Sequence, residues 1–203
     1  MNKNLITPIN TEKIFNKKGY AFFKNDSKNY NLNIVGVRST DMTPNSFNDY
    51  VCLLWKYKGK WNVKTYEATT DPGLYYLENP INVNGTAIMV PGQYRGAYSI
   101  GLHHGKYEAL RQKKPMKYFR DNDRDKQFDL NESNIYEEIG YTNIHHASYT
   151  SSTIVGKWSA GCQVLSSIND WNEFIKICKL SKDAFGDSFT YTLINEKDFD
   201  IIY

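Results

Sequence analysis

The chain has 203 residues, of which 40% are hydrophobic and 15% aromatic, with a formal net charge of +3. That composition suits one globular domain with a substantial core and excludes a chain dominated by disorder. The charge is too small to argue for nucleic acid, and no stretch approaches the roughly 18 apolar residues needed to span a bilayer.

In chain order, Thr11 is positioned to cap a short helix over residues 12–18, with Gly19 as its left-handed terminator. Strand-like runs follow at 20–23, 32–38 and 50–57. Lys58-Gly59 then reads as a hairpin turn into a further strand at 61–68. Thr70-Asp71-Pro72-Gly73 has turn chemistry, with proline fixing φ and glycine free to take φ > 0. Strands are expected at 85–90 and 94–102, and a polar, charged segment over 121–138 interrupts the β pattern. Residues 142–146 and 161–165 read as two more strands. Ser167 is placed to cap a helix from 168 to about 180, where Trp171, Phe174, Ile175 and Cys178 make an i, i+3, i+4, i+7 stripe. A last strand is expected at 189–194. The pattern is that of one β-rich α+β domain.

Three cysteines at wide spacing form no disulfide framework and leave a thiol free to react. Cys52 and Cys178 sit in apolar surroundings and read as packing. Cys162 is different, because it follows Ser159-Ala160-Gly161 and lies seventeen positions after His145. A thiol becomes a strong nucleophile as its thiolate, and a nearby imidazole is the usual means of producing one. Backbone N–H groups around Gly161 and Cys162 are placed to face an oxyanion. His145 and His146 are adjacent, so on a strand only one of them reaches the thiol.

The run Asn143-Ile-His-His-Ala-Ser, followed by Trp158-Ser-Ala-Gly-Cys-Gln-Val-Leu165, resembles the signature of the L,D-transpeptidase (YkuD-like) family. In that family an Ile-His-Gly type segment precedes a Ser-His-Gly-Cys segment by a similar interval. Val90-Pro-Gly-Gln-Tyr94 is similar to a Pro-Gly-x-Tyr/Phe segment of the same family, and the resemblance covers about residues 90–165. The departures are Ala160 in place of the second histidine, Gln163-Val164 in place of an apolar residue and Arg or Asn, and His146 in place of a small residue. The resemblance implies mixed and antiparallel sheets in a sandwich-like domain over 1–203, with an N-terminal elaboration at about 1–80. It also implies a peptidoglycan stem-peptide hydrolase or transpeptidase working through a thioester, with no cofactor required for catalysis. Cys162 would be the nucleophile and His145 the base, with the His146 carbonyl orienting that ring, the backbone around Gly161 and Cys162 holding the oxyanion, and Ser159 a further catalytic-site residue. Tyr94 and one of His103 and His104 would line the substrate groove.

Asp121, Asp123, Asp125, Gln127, Asp129 and Glu132 fall at positions 1, 3, 5, 7, 9 and 12 of a loop, the ligand spacing of an EF-hand. Lys126 stands where glycine normally permits the sharp turn. Two readings stay open: a structural calcium, or a solvated acidic loop with Arg124, Lys126 and Lys117 pairing its carboxylates. The pairs His103-His104 and His145-His146 invite a zinc reading, but no ligand spacing supports it. A non-catalytic cell-wall-binding or structural module, for example one associated with a virion, is the competing function. The opening residues 1–8 lack the apolar run of a signal peptide, so the expectation is synthesis in the cytoplasm and action at the wall after delivery or release.

Overall fold

The computed structural model describes residues 1–24 and 27–202. Helix α1 spans Pro8–Lys18 and begins a turn earlier than the sequence suggested. Thr7 is its cap, accepting from the Asn10 N–H, and Pro8 takes the first helical position, where a missing N–H costs nothing. Thr11 is instead fully buried inside the helix. Gly19 closes the helix in the left-handed conformation, at φ 70°. Residues 20–24 form no strand.

Strands β1 (Asn33–Arg38), β2 (Asp49–Tyr57) and β3 (Lys60–Thr69) follow. Lys58 and Gly59 both take positive φ, as the two-residue hairpin turn between β2 and β3 requires. A short helix α2 covers Leu74–Glu78. Gly73, expected at positive φ, has φ −75°. It is needed for a different reason: a Cβ there would meet the Gly156 carbonyl oxygen at 2.0 Å. Then come β4 (Thr86–Met89), β5 (Gly92–His103), β6 (Tyr107–Gln112), β7 (Met116–Asp121) and β8 (Ile135–Glu138). The chain continues through β9 (Ile144–His146), β10 (Gln163–Leu165), α3 (Ile168–Phe185) and β11 (Phe189–Asn195).

Eight strands close into a barrel in the order β1-β11-β5-β6-β9-β10-β3-β2, and β4-β7-β8 form a separate three-stranded sheet. The fold is thus β-rich with few helices, but its main sheet is a closed barrel where a sandwich was expected. Residues 33–69 supply three of its eight strands. Closure depends on β11, which pairs parallel to β1 and antiparallel to β5. Both faces of β1 are buried, in keeping with its nearly unbroken apolar run. Ile34 joins the main core with Tyr191 and Leu193, while Val35 and Val37 pack under α1 beside Ile14, Phe15 and Phe199. No helix among the described residues is long and apolar enough to cross a membrane.

Helix α3 is capped by the Ser167 side chain, and its predicted stripe is all buried. Phe174 is fully enclosed, stacked on Trp171 at 5.3 Å between centroids and edge-on to Tyr66 at 6.0 Å. Phe174→Ala should therefore destabilise the protein by about 3–5 kcal/mol through lost contacts and a residual cavity. A urea titration checks this, and a midpoint matching the parent would mean that α3 does not anchor the core.

Candidate active site

The parallel pair β9–β10 brings the two halves of the motif side by side, with Gln163 opposite Ile144 and Val164 opposite His145. Strand alternation then sends Ile144 and Gln163 toward the barrel interior and their neighbours Asn143, His145 and Cys162 toward a groove. Inside, Gln163 Oε1 accepts from the Tyr191 hydroxyl at 2.6 Å, and its amide donates to the carbonyls of Thr70 and Gly161, both at 3.3 Å. The groove has a volume of about 1070 Å³, and all four histidines border it together with Cys162, Tyr107 and Asn143.

The turn before Cys162 is built by Ser159 and Gly161. The Ser159 hydroxyl donates to the Cys162 carbonyl at 2.7 Å and accepts from the Gly161 N–H at 3.1 Å. Gly161 has φ 117°, and a Cβ on it would strike the Ala87 carbonyl oxygen of β4 at 2.6 Å. The three-stranded sheet therefore backs the turn before Cys162, and only glycine fits there. Because the Gly161 N–H is spent on Ser159, the donor left for an oxyanion is the Cys162 N–H, which has no hydrogen-bond partner among the described residues.

His145 is almost completely buried. Its Nδ1 lies 2.7 Å from the His146 carbonyl oxygen and 3.2 Å from the Tyr107 hydroxyl. A carbonyl can only accept, so Nδ1 carries the ring proton and Nε2 keeps a lone pair. That Nε2 is buried with no partner among the described residues, an arrangement expected of a base awaiting a proton. His103 stacks on His145 at 4.0 Å between centroids and accepts at Nδ1 from the Asn143 amide at 3.0 Å. His146 turns the other way, with Nδ1 on the Ser148 carbonyl and its ring against Tyr107.

Burial sets the resting charges. It pushes His145 down to about 3, reinforced by the neighbouring His103, and pushes the Cys162 thiol up to about 11 against the opposing Asn143 N–H···S bond of 3.3 Å. At neutral pH Cys162 is a thiol and His145 a neutral imidazole with no hydrogen bond between Sγ and Nε2, so the two must approach and proton transfer must accompany attack. Alkylation of Cys162 by iodoacetamide should accordingly keep rising with pH through 9–10. A plateau below pH 7 would reveal a thiolate–imidazolium pair instead. Cys52 and Cys178 are fully buried, and burial raises both thiols, so they should label far more slowly.

His104 lines the groove from the turn after β5, at φ 48°. Tyr94 does not. It lies in a separate depression with Tyr20, Gln93 and Lys117, its hydroxyl on the Val90 carbonyl. Sequence reading passed over Tyr107 and Asn143. Asn143 carried a usable signal, because it sits two residues before His145 and so shares its strand face. Tyr107 becomes visible only once the β5–β6 hairpin pairs it with His103.

In the acidic loop the carboxylates serve the local backbone. Asp123 Oδ1 accepts from the Asp125 N–H at 3.1 Å, Asp125 Oδ1 from the Gln127 N–H at 2.8 Å, and Asp121 Oδ2 from the Asp129 N–H at 3.0 Å. Glu132 opens a short 3-10 turn, and Lys126 pairs with Glu78 at 3.0 Å. Among the described residues no three histidine, cysteine, aspartate or glutamate side chains gather closely enough to hold a metal, at this loop or around the histidines. No family model, curated protein or solved structure matches the chain.

Proposed function

We propose that the protein is a cysteine-dependent hydrolase or L,D-transpeptidase of peptidoglycan stem peptides. The observation that carries this reading is the buried, unpartnered Nε2 of His145, whose tautomer is fixed by the His146 carbonyl in the groove that holds Cys162. Cys162 Sγ attacks an amide carbonyl and passes its proton to His145 Nε2. The Cys162 N–H stabilises the oxyanion. His145 then protonates the leaving amine, and a thioester remains on Cys162. Water as second acceptor gives hydrolysis and an amine gives transpeptidation, with the proton again passing through His145. The activity belongs at the cell wall, so the protein works after delivery or release, for instance by lysis or from a virion.

Mass spectrometry after incubation with a carbapenem or with peptidoglycan fragments tests this. An adduct on Cys162 is the expected result, and an unmodified protein would sink the nucleophile. The second reading, a wall-binding or structural module of the same fold, draws support from Ala160 at the second-histidine position and from burial holding Cys162 as a thiol. It requires that Cys162 label no faster than Cys52 and Cys178.

A weak structural calcium in the acidic loop belongs to the same proposal. Asp121 is buried with one carboxylate oxygen unpartnered, and burial with the charges of Asp123, Asp129 and Asp125 pushes it up to about 6. A cation would relieve this, but only after the other carboxylates leave their backbone partners, which weakens binding. Millimolar calcium should therefore raise the melting temperature, magnesium less so, and Asp123→Asn with Asp125→Asn should remove the effect. No shift in the parent would identify the loop as a solvated acidic turn.

A further inference from the structure

The groove around Cys162 carries positive charge that no carboxylate among its described lining residues balances. Glu138 is the one carboxylate among its described lining residues, and it is already bound by Arg120 at 2.7 Å. Lys106, Arg111 and Lys157 also line the groove, and none of them has an ion-pair partner among the described residues. Lys157 rests over the Tyr75 ring at 4.0 Å, a contact that holds a cation without neutralising it.

Arg111 is the best placed of the three. On the β5–β6 hairpin, His103 is opposite Tyr107, Gly101 opposite Ala109, and Ser99 opposite Arg111. These pairs share one face, so a floor of two small residues, Gly101 and Ala109, separates the histidine end from Arg111, which lies two steps of about 7 Å away along the strands. The Arg111 stem crosses that floor, because a Cβ on Gly101 would lie 3.0 Å from Arg111 Cδ. The side chain thus leans diagonally across β5, toward the end that carries His103. Its charge is felt there, since Arg111 contributes to holding His103 down at about 4, after burial and the neighbouring histidines. The position after Cys162, by contrast, supplies no cation: Gln163 and Val164 are both fully buried.

We infer that Arg111 is a specificity residue that selects substrates carrying a free carboxylate close to the carbonyl attacked by Cys162, with Lys106 and Lys157 adding long-range attraction. This rests on the reading of Cys162 as nucleophile. A guanidinium presents a planar fork suited to a carboxylate, and a cleft with one sign of charge raises the local concentration of the opposite sign. A neutral or cationic peptide gains neither advantage, so charge at one position separates substrates of equal size.

Two measurements test the inference independently of each other. In the first, Cys162 is alkylated by iodoacetate and by iodoacetamide, which differ in charge but hardly in size. The iodoacetate-to-iodoacetamide rate ratio should exceed that of free cysteine by about tenfold or more and fall as salt is added. Arg111→Gln should lower the ratio while leaving the iodoacetamide rate within about twofold, and Arg111→Lys should keep much of it. In the second, Cys162→Ala protein is titrated calorimetrically with L-Ala–γ-D-Glu–L-Lys–D-Ala amidated at its glutamyl α-carboxylate, its C-terminal D-Ala carboxylate either free or amidated. The free acid should bind about tenfold tighter, and Arg111→Gln should abolish the difference. Equal binding of acid and amide overturns the inference even if Cys162 proves reactive. A preference for the acid in a protein whose Cys162 takes neither reagent upholds anion selection and overturns the nucleophile. A ratio unchanged by Arg111→Gln assigns the attraction elsewhere and overturns the role of Arg111.

Discussion

Replacing Cys162 by serine is expected to lower turnover of a stem-peptide substrate by about two orders of magnitude or more while leaving the circular dichroism spectrum unchanged. A hydroxyl is far less acidic than a thiol, and an imidazole held down at about 3 is too weak a base to activate it. His145→Ala should cost a comparable amount, because residues that act as one unit do not contribute additively. His146→Ala should cost much less. What His146 lends to the site is its backbone carbonyl, which the substitution keeps, while the lost ring packs on Tyr107 and Trp171. A larger loss from His146→Ala would reverse the assignment of the pair. A variant Cys162→Ser retaining more than a few per cent of parental turnover would remove the thiol from the chemistry.

The second large effect is expected beneath the site, at Arg38→Met. Arg38 and Asp71 form a buried ion pair at 2.8 Å, and Arg38 also donates to the hydroxyl and carbonyl of Thr70. Asp49 lies close by, accepting from the Thr70 N–H and hydroxyl at 2.7 and 2.8 Å. Burial raises both carboxyl groups, and Arg38 is what opposes this at Asp71. Removing the cation leaves two acids enclosed together, and breaking such a pair typically costs about 3–5 kcal/mol. The sign with pH follows from proton uptake. In the variant the folded carboxyls hold protons to higher pH than they do unfolded. The native state is therefore favoured in acid and loses stability as pH rises above the unfolded value near 3.8. The deficit should be larger at pH 8 than at pH 5, and Asp71→Asn added to Arg38→Met should recover part of it. Urea midpoints at the two pH values decide, and a pH-independent deficit would mean that the acids are not the cause. Turnover under the proposed function should fall as well, because Gln163, next to Cys162, donates to the same Thr70 carbonyl.

Local signals were readable wherever the chemistry is local. Lys58-Gly59, the Ser167 cap and the Trp171–Cys178 stripe each require only neighbouring residues, and each took its expected form. The start of α1 was misplaced because Thr7-Pro8 and Thr11 are both acceptable openings. Burial of Thr11 decides between them, and burial is a tertiary fact. Strand β6 was hidden because Glu108 and Arg111, both exposed and on opposite faces, break its apolar pattern. Strand β8 was hidden because Ile135–Glu138 is almost wholly exposed at a sheet edge, so its apolar content says little. At the site, the His145 and Cys162 spacing singled out the two residues. It could not place Tyr94 in a separate depression, nor assign the Gly161 N–H to Ser159, since both depend on how distant segments pack.

The position of β11 between β1 and β5 has a consequence for how the protein folds. Until residues 189–195 slot into place, β1 and β5 both present bare hydrogen-bonding edges. The barrel is therefore completed only when residues 189–195 pair with residues 33–38, a slow, long-range step during which other chains compete for the same edges.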